Sequence, residues 1–168
     1  MPDAGRIVAV CLSGEKGTKK TPVAKGLLVQ DFGLEGDAHA GTPNRQVSLL
    51  FLSSIDTLRL KMPGLAPGDF AENLTLEGGD WRDLPVGTRL RLQRGPLIEI
   101  TQVGKECHTG CAIREATGDC VMPREGLFAC VVEGGEVRPR DTYEVISRRI
   151  EREGREGRHK RRKLRTEN

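Results

Sequence analysis

The sequence predicts a mainly β fold: a single domain of about seven short strands with a few helices, arranged as a β-barrel or a curled mixed sheet, followed by a basic C-terminal tail. Three observations carry this expectation. Thr88-Arg89-Leu90-Arg91-Leu92 and Leu97-Ile98-Glu99-Ile100-Thr101-Gln102-Val103 alternate apolar with polar around Arg94-Gly95-Pro96, which reads as a β-hairpin. Glycine (21) and proline (9) fill 30 of 168 positions, so the chain is rich in turns and its elements are short. Only one stretch, after residue 52, has the look of a regular helix.

In chain order, residues 6–12 (Arg6-Ile7-Val8-Ala9-Val10-Cys11-Leu12) form a compact run read as a strand buried on both faces. A loop over 14–20 leads to a second extended stretch over 21–30, then to a glycine-rich loop over 33–41. Gln46-Val47-Ser48-Leu49-Leu50 reads as a strand entering a helix, with Ser53 or Ser54 as N-cap and Pro63-Gly64 beyond its end near Lys61. Pro67-Gly68-Asp69-Phe70 is a turn into a strand near Leu74. After the hairpin, 111–118 is a candidate short helix, and 127–133 fits a helix or a strand. Gly134-Gly135 and Pro139-Arg140-Asp141 are turns, and 142–147 makes the last strand. No period of 20–50 residues repeats, which argues against a solenoid.

The net charge of +3 divides unevenly. Residues 148–168 carry ten Lys/Arg and four Glu, so the body is mildly acidic and the basicity sits in the tail. With almost nothing apolar to bury, that tail is expected to be disordered or a solvated helix, and either a solubilising extension or a weak nucleic-acid contact. The domain proper is expected over residues 5–147. The N-terminus lacks a secretory pattern and no apolar run reaches the roughly 20 residues of a membrane helix, so the expected location is the cytoplasm.

Five cysteines, an odd number in a chain of that expected location, argue against a disulfide framework. Four of them (Cys107, Cys111, Cys120 and Cys130) fall within 107–130. Cys107 follows the strand ending at Val103-Gly104, and Lys105 and His108 flank it, as an activated or metal-binding thiolate requires. Equally, Cys107 fits a small buried hydrophobe. Cys107, Cys111, Cys120 and His108 together have the atoms of a tetrahedral zinc site, although zinc sites usually come as two close pairs and only one pair is present. The loop Gly36-Asp37-Ala38-His39-Ala40-Gly41, leading to Asn44-Arg45, is a second constellation: its glycines expose backbone N–H groups and Arg45 offers a fork for phosphate or carboxylate. It matches neither a P-loop nor a dinucleotide fingerprint, and an Asp–His pair that merely holds the loop explains it as well. Glu72-Asn73, with Asp69 ahead of them, either point into a pocket or cap a turn.

In order along the chain, Gly33-Leu34-Glu35-Gly36-Asp37-Ala38-His39, Arg45-Gln46-Val47-Ser48-Leu49-Leu50, Gly68-Asp69-Phe70-Ala71-Glu72-Asn73-Leu74, Leu84-Pro85-Val86-Gly87-Thr88, Gly104-Lys105-Glu106-Cys107 and Met122-Pro123-Arg124-Glu125-Gly126-Leu127-Phe128-Ala129 resemble the MOSC domain, the family named for the C-terminal part of molybdenum cofactor sulfurases. The resemblance spans roughly residues 5–147 and is closest to the small stand-alone members. It implies a β-barrel-like fold and a molybdenum cofactor (molybdopterin) site. Cys107 corresponds to the family's cysteine, as a molybdenum ligand or a persulfide carrier. The resemblance places Gly36, Asp37, His39 and Arg45 in the family's first motif, with Arg45 toward the cofactor's phosphate, and Glu72 and Asn73 in its second. His108 and Cys111 lie beside the main thiol, with Cys111 a candidate resolving cysteine, and the cluster they form with Cys120 departs from many relatives.

Two activities follow from the resemblance. One is sulfur or cofactor handling for metal–sulfur centres, akin to a sulfurtransferase; the other is molybdenum-dependent reduction of N-hydroxylated compounds. The first needs a sulfur donor and the second an electron-donor protein and a small-molecule substrate. No membrane partner is expected. An aminotransferase-like domain is not seen, so the pyridoxal phosphate binding attached to the family's fused members, and a cysteine desulfurase step, are not expected within this chain. A different class stays open: a non-catalytic, zinc-stabilised module whose tail recruits nucleic acid.

Overall fold

The computed structural model describes residues 3–105 and 121–148. Cys107, His108, Cys111 and Cys120, the expected helix over 111–118 and the tail from residue 149 lie outside the described residues.

Eleven strands are described: β1 (Ala4–Leu12), β2 (Thr21–Pro22), β3 (Gly26–Val29), β4 (Gly33–Leu34), β5 (Val47–Phe51), β6 (Leu74–Glu77), β7 (Thr88–Leu92), β8 (Leu97–Val103), β9 (Leu127–Glu133), β10 (Gly135–Val137) and β11 (Thr142–Arg148). Two α-helices accompany them among the described residues, α1 (Leu52–Arg59) and α2 (Met122–Glu125), with a 3-10 turn at Trp81–Asp83. Seven strands, in the order β11-β7-β8-β9-β5-β6-β1, close into a barrel because β1 also pairs with β11. Within it β5 and β6 run parallel and every other pair antiparallel. Closure leaves these seven strands no long unpaired edge. Strands β10, β3 and β4 make a separate small sheet, and β2 pairs with the end of β1.

Alternation fixes which side chains fill the barrel. On β7, Thr88, Leu90 and Leu92 are buried while Arg89 and Arg91 are partly exposed. Leu90, Leu92, Ile98, Ile100, Val47, Leu49, Phe51, Leu74 and Leu76 belong to one core cluster. The hairpin forms as the alternation predicts, with Arg91 opposite Leu97 and the Leu92 N–H donating to the Pro96 carbonyl at 2.8 Å. Strand β5 is buried throughout because it is covered twice. Its odd residues face the barrel, while Leu50 joins Ile55, Leu58, Leu65, Phe70, Val121, Met122 and Phe128 in a second cluster outside it.

The helix differs from expectation at both ends. It begins at Leu52, directly out of β5, with Phe51 at the N-cap position and no side-chain cap, so Ser53 and Ser54 lie inside its first turn. A strand that runs straight into a helix leaves no turn residue to cap it. Ser54 instead donates outward to Glu125 Oε1 of α2 at 2.6 Å, and the helix stops at Arg59, where Lys61 and Met62 N–H groups both reach the Leu58 carbonyl. Ser54→Ala is expected to lose about 1–2 kcal/mol in urea unfolding, the worth of a partly buried hydrogen bond to a carboxylate. The stretch over 21–30 is two strands in different sheets, and 127–133 is strand β9. None of the described helices is long and apolar enough to cross a membrane.

Candidate functional site

The motif residues gather on the outer surface of β1, β6 and β5, under the loops that follow β1 and precede β6. Val10, Leu74 and Leu49 point into the barrel, so their neighbours Cys11, Thr75, Ser48 and Leu50 point outward. Ser48 and Thr75 are among the buried polar residues there.

Asp37 is the hub. Gly36, at φ +89, takes a left-handed turn that an L side chain rarely adopts, and the Asp37 N–H closes that turn on the Leu34 carbonyl at 3.1 Å. Asp37 Oδ1 accepts from the Ser13 N–H at 3.0 Å and from Lys20 Nζ at 2.8 Å; Oδ2 accepts from the His39 N–H at 3.1 Å. The Asp37 and Lys20 side chains are both completely buried. Burial pushes the Asp37 carboxyl up, but the hydrogen bonds from His39, Lys20 and Ser13 outweigh it and hold the group well below the ordinary carboxylate range. Lys20 Nζ also lies 3.2 Å from His39 Nδ1. The same Nδ1 lies 3.8 Å from Asp37 Oδ2, so the imidazole faces both members of the ion pair. The His39 side chain is one-third exposed, at the edge of this buried ion pair.

Glu72 and Asn73 are the walls behind this hub. Both are completely buried. Glu72 accepts from the Gly68 N–H at 2.8 Å, the Phe70 N–H at 3.2 Å and the Thr75 hydroxyl at 2.9 Å. Burial still dominates and raises its pKa. The turn it holds reaches back to the hub, because the Lys20 N–H donates to the Gly68 carbonyl at 2.8 Å. Gly68, at φ +93, passes so near Lys20 that a Cβ there would overlap the Lys20 carbonyl oxygen. Asn73 stitches three segments: Oδ1 accepts from the Ser48 N–H (2.9 Å) and hydroxyl (3.2 Å), and Nδ2 donates to the Cys11 carbonyl at 3.0 Å. Asp69 caps its own turn by accepting from the Ala66 N–H at 2.9 Å. Of the two readings of Glu72-Asn73, the described contacts are those of a buried scaffold.

Arg45 is exposed, and among the described residues its guanidinium has no hydrogen-bond or ion-pair partner. Consecutive turns carry the chain to it from His39: the Thr42 N–H donates to the His39 carbonyl and the Arg45 N–H to the Thr42 carbonyl, each at 3.1 Å. A register shift in β8 between Ile100 and Gln102 leaves Thr101 as the extra residue of a bulge. The Thr101 hydroxyl lies 2.7 Å from the Asn44 carbonyl, which pins the residue before Arg45 to the strand that leads toward Cys107.

The two described cysteines are poor thiolates. Burial, aided by the charges of Glu72 and Asp69 and opposed by Lys20, pushes the Cys11 thiol up to about 12. Cys130, half-buried, is raised by burial and then by Glu99 and Asp31. Reactivity as a thiolate therefore belongs to neither. Lys20, Ser13 and Ser48 were not among the residues expected at the site. Each acts through partners 17 to 25 positions away, and such a pairing leaves no local mark in the sequence.

A family model described as the MOSC domain matches residues 36–144. Among solved structures the fold is similar to the YUAD protein from Bacillus subtilis, at 18% identity and a TM-score of 0.71 over 84% of this chain and 95% of that one. YiiM from Geobacillus stearothermophilus is 17% identical, with a TM-score of 0.68 over 87% of this chain and 77% of that one. YiiM from Escherichia coli is 21% identical, with a TM-score of 0.62 over 85% and 70%. At these identities the likeness is one of fold. No curated protein matches.

Proposed function

We propose, from the premise that the chain belongs to the MOSC domain family, that it binds molybdenum cofactor across the outer face carrying Asp37, His39 and Arg45, with Cys107 as the thiolate that meets the metal or carries sulfur. One observation supports the reading most: an Arg45 guanidinium without a partner among the described residues and a part-exposed His39 imidazole lie on one loop, backed by a buried Lys20–Asp37 pair. That set suits an anionic, acceptor-rich ligand such as a phosphate-bearing pterin. Glu72 and Asn73 fit the site as scaffold, because their polar atoms are already bonded to protein.

In this reading Arg45 holds the phosphate, His39 meets a polar group of the ligand, and the Lys20–Asp37 pair holds the imidazole in place. The cofactor, when bound, supplies the electron or sulfur chemistry at its metal. Within that scheme the chain serves sulfur or cofactor handling, or reduction of N-hydroxylated compounds with an electron-donor partner.

The test is metal and pterin content of protein from a molybdenum-competent host, for wild type and Cys107→Ser. Stoichiometric molybdenum and pterin in the wild type, with molybdenum lost from the variant, is the expected result. Labile sulfur on Cys107 without molybdenum would turn the reading to a sulfur carrier, and zinc alone in both proteins would overturn it.

A further inference from the structure

A cavity of about 490 Å³ lies at one end of the barrel, lined by Gln93 and Arg94 of the β7–β8 turn, by residues 138–141 of the β10–β11 turn, and by Ala24. None of the residues that carry the proposed cofactor face lines it. Its chemistry is dominated by three arginines, Arg94, Arg138 and Arg140, against one carboxylate, Asp141.

That carboxylate is an organiser. Asp141 is 2% exposed, and it accepts from Arg94 Nε through both oxygens at 3.1 and 3.0 Å and from the Arg138 N–H at 2.9 Å. One buried group thus sets both the Arg94 guanidinium and the backbone of the facing turn. The terminal nitrogens of Arg94 have no partner among the described residues, and Arg138 spends only Nε, on Glu136. Arg140 makes no side-chain hydrogen bond or ion pair among the described residues. Its backbone is held at φ +76, by the Arg140 N–H donating to the Ile7 carbonyl at 2.6 Å. A non-glycine residue in that region is uncommon, and Arg140 is among the residues that line the cavity.

Three arginines line one concave space, two of them anchored through Nε with no hydrogen bond from their terminal nitrogens among the described residues, and such forks suit oxyanions. The volume is that of a small-molecule site. The lining holds no aromatic side chain on which bases would stack, so the surface favours a compact phosphorylated molecule over a single-stranded nucleic acid. We propose that this cavity is a second anion site, built for the phosphate groups of a small phosphorylated ligand and separate from the face of Asp37, His39 and Arg45.

The experiment titrates inorganic pyrophosphate into the full-length chain at low salt, by calorimetry and by amide NMR. Binding that shifts the Gly95, Arg138, Arg140 and Asp141 amides is expected. Arg140→Gln should weaken it about tenfold, the worth of one charge-assisted contact, with an unchanged urea midpoint, and Arg140→Lys should recover part of the loss. Absence of binding, shifts confined to other residues, or an affinity that Arg140→Gln leaves intact would each overturn the proposal. A single-stranded oligonucleotide that displaces pyrophosphate from the same amides would reassign the cavity to nucleic acid.

Discussion

Lys20→Met is expected to remove about 3–5 kcal/mol of folding stability at pH 7, read as a fall in the urea midpoint, because it strands a buried carboxylate. Lys20 and Asp37 are both fully buried and 2.8 Å apart. Methionine keeps the volume of the lysine stem but leaves Asp37 without its ammonium partner, with the N–H groups of Ser13 and His39 and the nearby imidazole still in place. The pair itself need not be worth so much, since its attraction is set against the cost of desolvating both ions. The double variant Lys20→Met/Asp37→Asn should therefore recover most of the loss, and a double variant no better than the single one would refute the account.

The pH dependence carries the same signature. The folded Asp37 carboxyl is depressed, so its stabilisation is complete above the unfolded-chain value of about 3.9 and is lost as pH falls through the folded value. In Lys20→Met the carboxylate loses its main charge partner and its pKa rises, so protonation relieves the variant sooner. The gap between the two proteins should narrow as pH drops below about 4.

Glu72→Ala is the second large effect, expected at about 3 kcal/mol near pH 4, where it orphans the N–H groups of Gly68 and Phe70 and the Thr75 hydroxyl and opens a cavity. Its pH slope has the opposite sign. Burial raises the folded pKa of Glu72, so the stability it contributes is fully present below the unfolded value of about 4.3 and declines as pH rises through the folded one. The difference between wild type and Glu72→Ala should thus shrink on going from pH 4 toward 8, while that of Lys20→Met does not shrink over the same range. Urea unfolding of the three proteins at both ends of that range separates the two carboxylates. Parallel slopes would mean that Glu72 is not the buried, raised group described.

Both residues were visible as motif members, yet their contributions were not. Asp37 and His39 sit two positions apart in a glycine-marked turn, so the loop and its acid–imidazole composition are legible along the chain. The lysine that completes the group is 17 residues earlier, at the end of a different loop. Asn73 is likewise legible as a polar residue before a strand, but its partners on Ser48 and Cys11 are 25 and 62 residues away. Strands β2, β3, β4 and β10 have only two to four residues, too few for a period of two to show. Along the chain, 21–30 therefore reads as one extended segment.

By itself the sequence determined the elements whose signals are local: the alternating β7–β8 hairpin, the strand that runs into α1, the glycine-rich loop over 33–41 and the mainly β class. It also carried, through six ordered motifs, the family to which the chain belongs. Tertiary structure alone decided that β1 closes the barrel by pairing with both β6 and β11, that the outer face of β5 is covered by α1 and α2, and that Lys20 becomes the partner of Asp37. The physical reason is the same in each case: a side chain's own neighbours set its backbone preference, whereas its charge partner and the surface it buries are chosen only when distant segments pack.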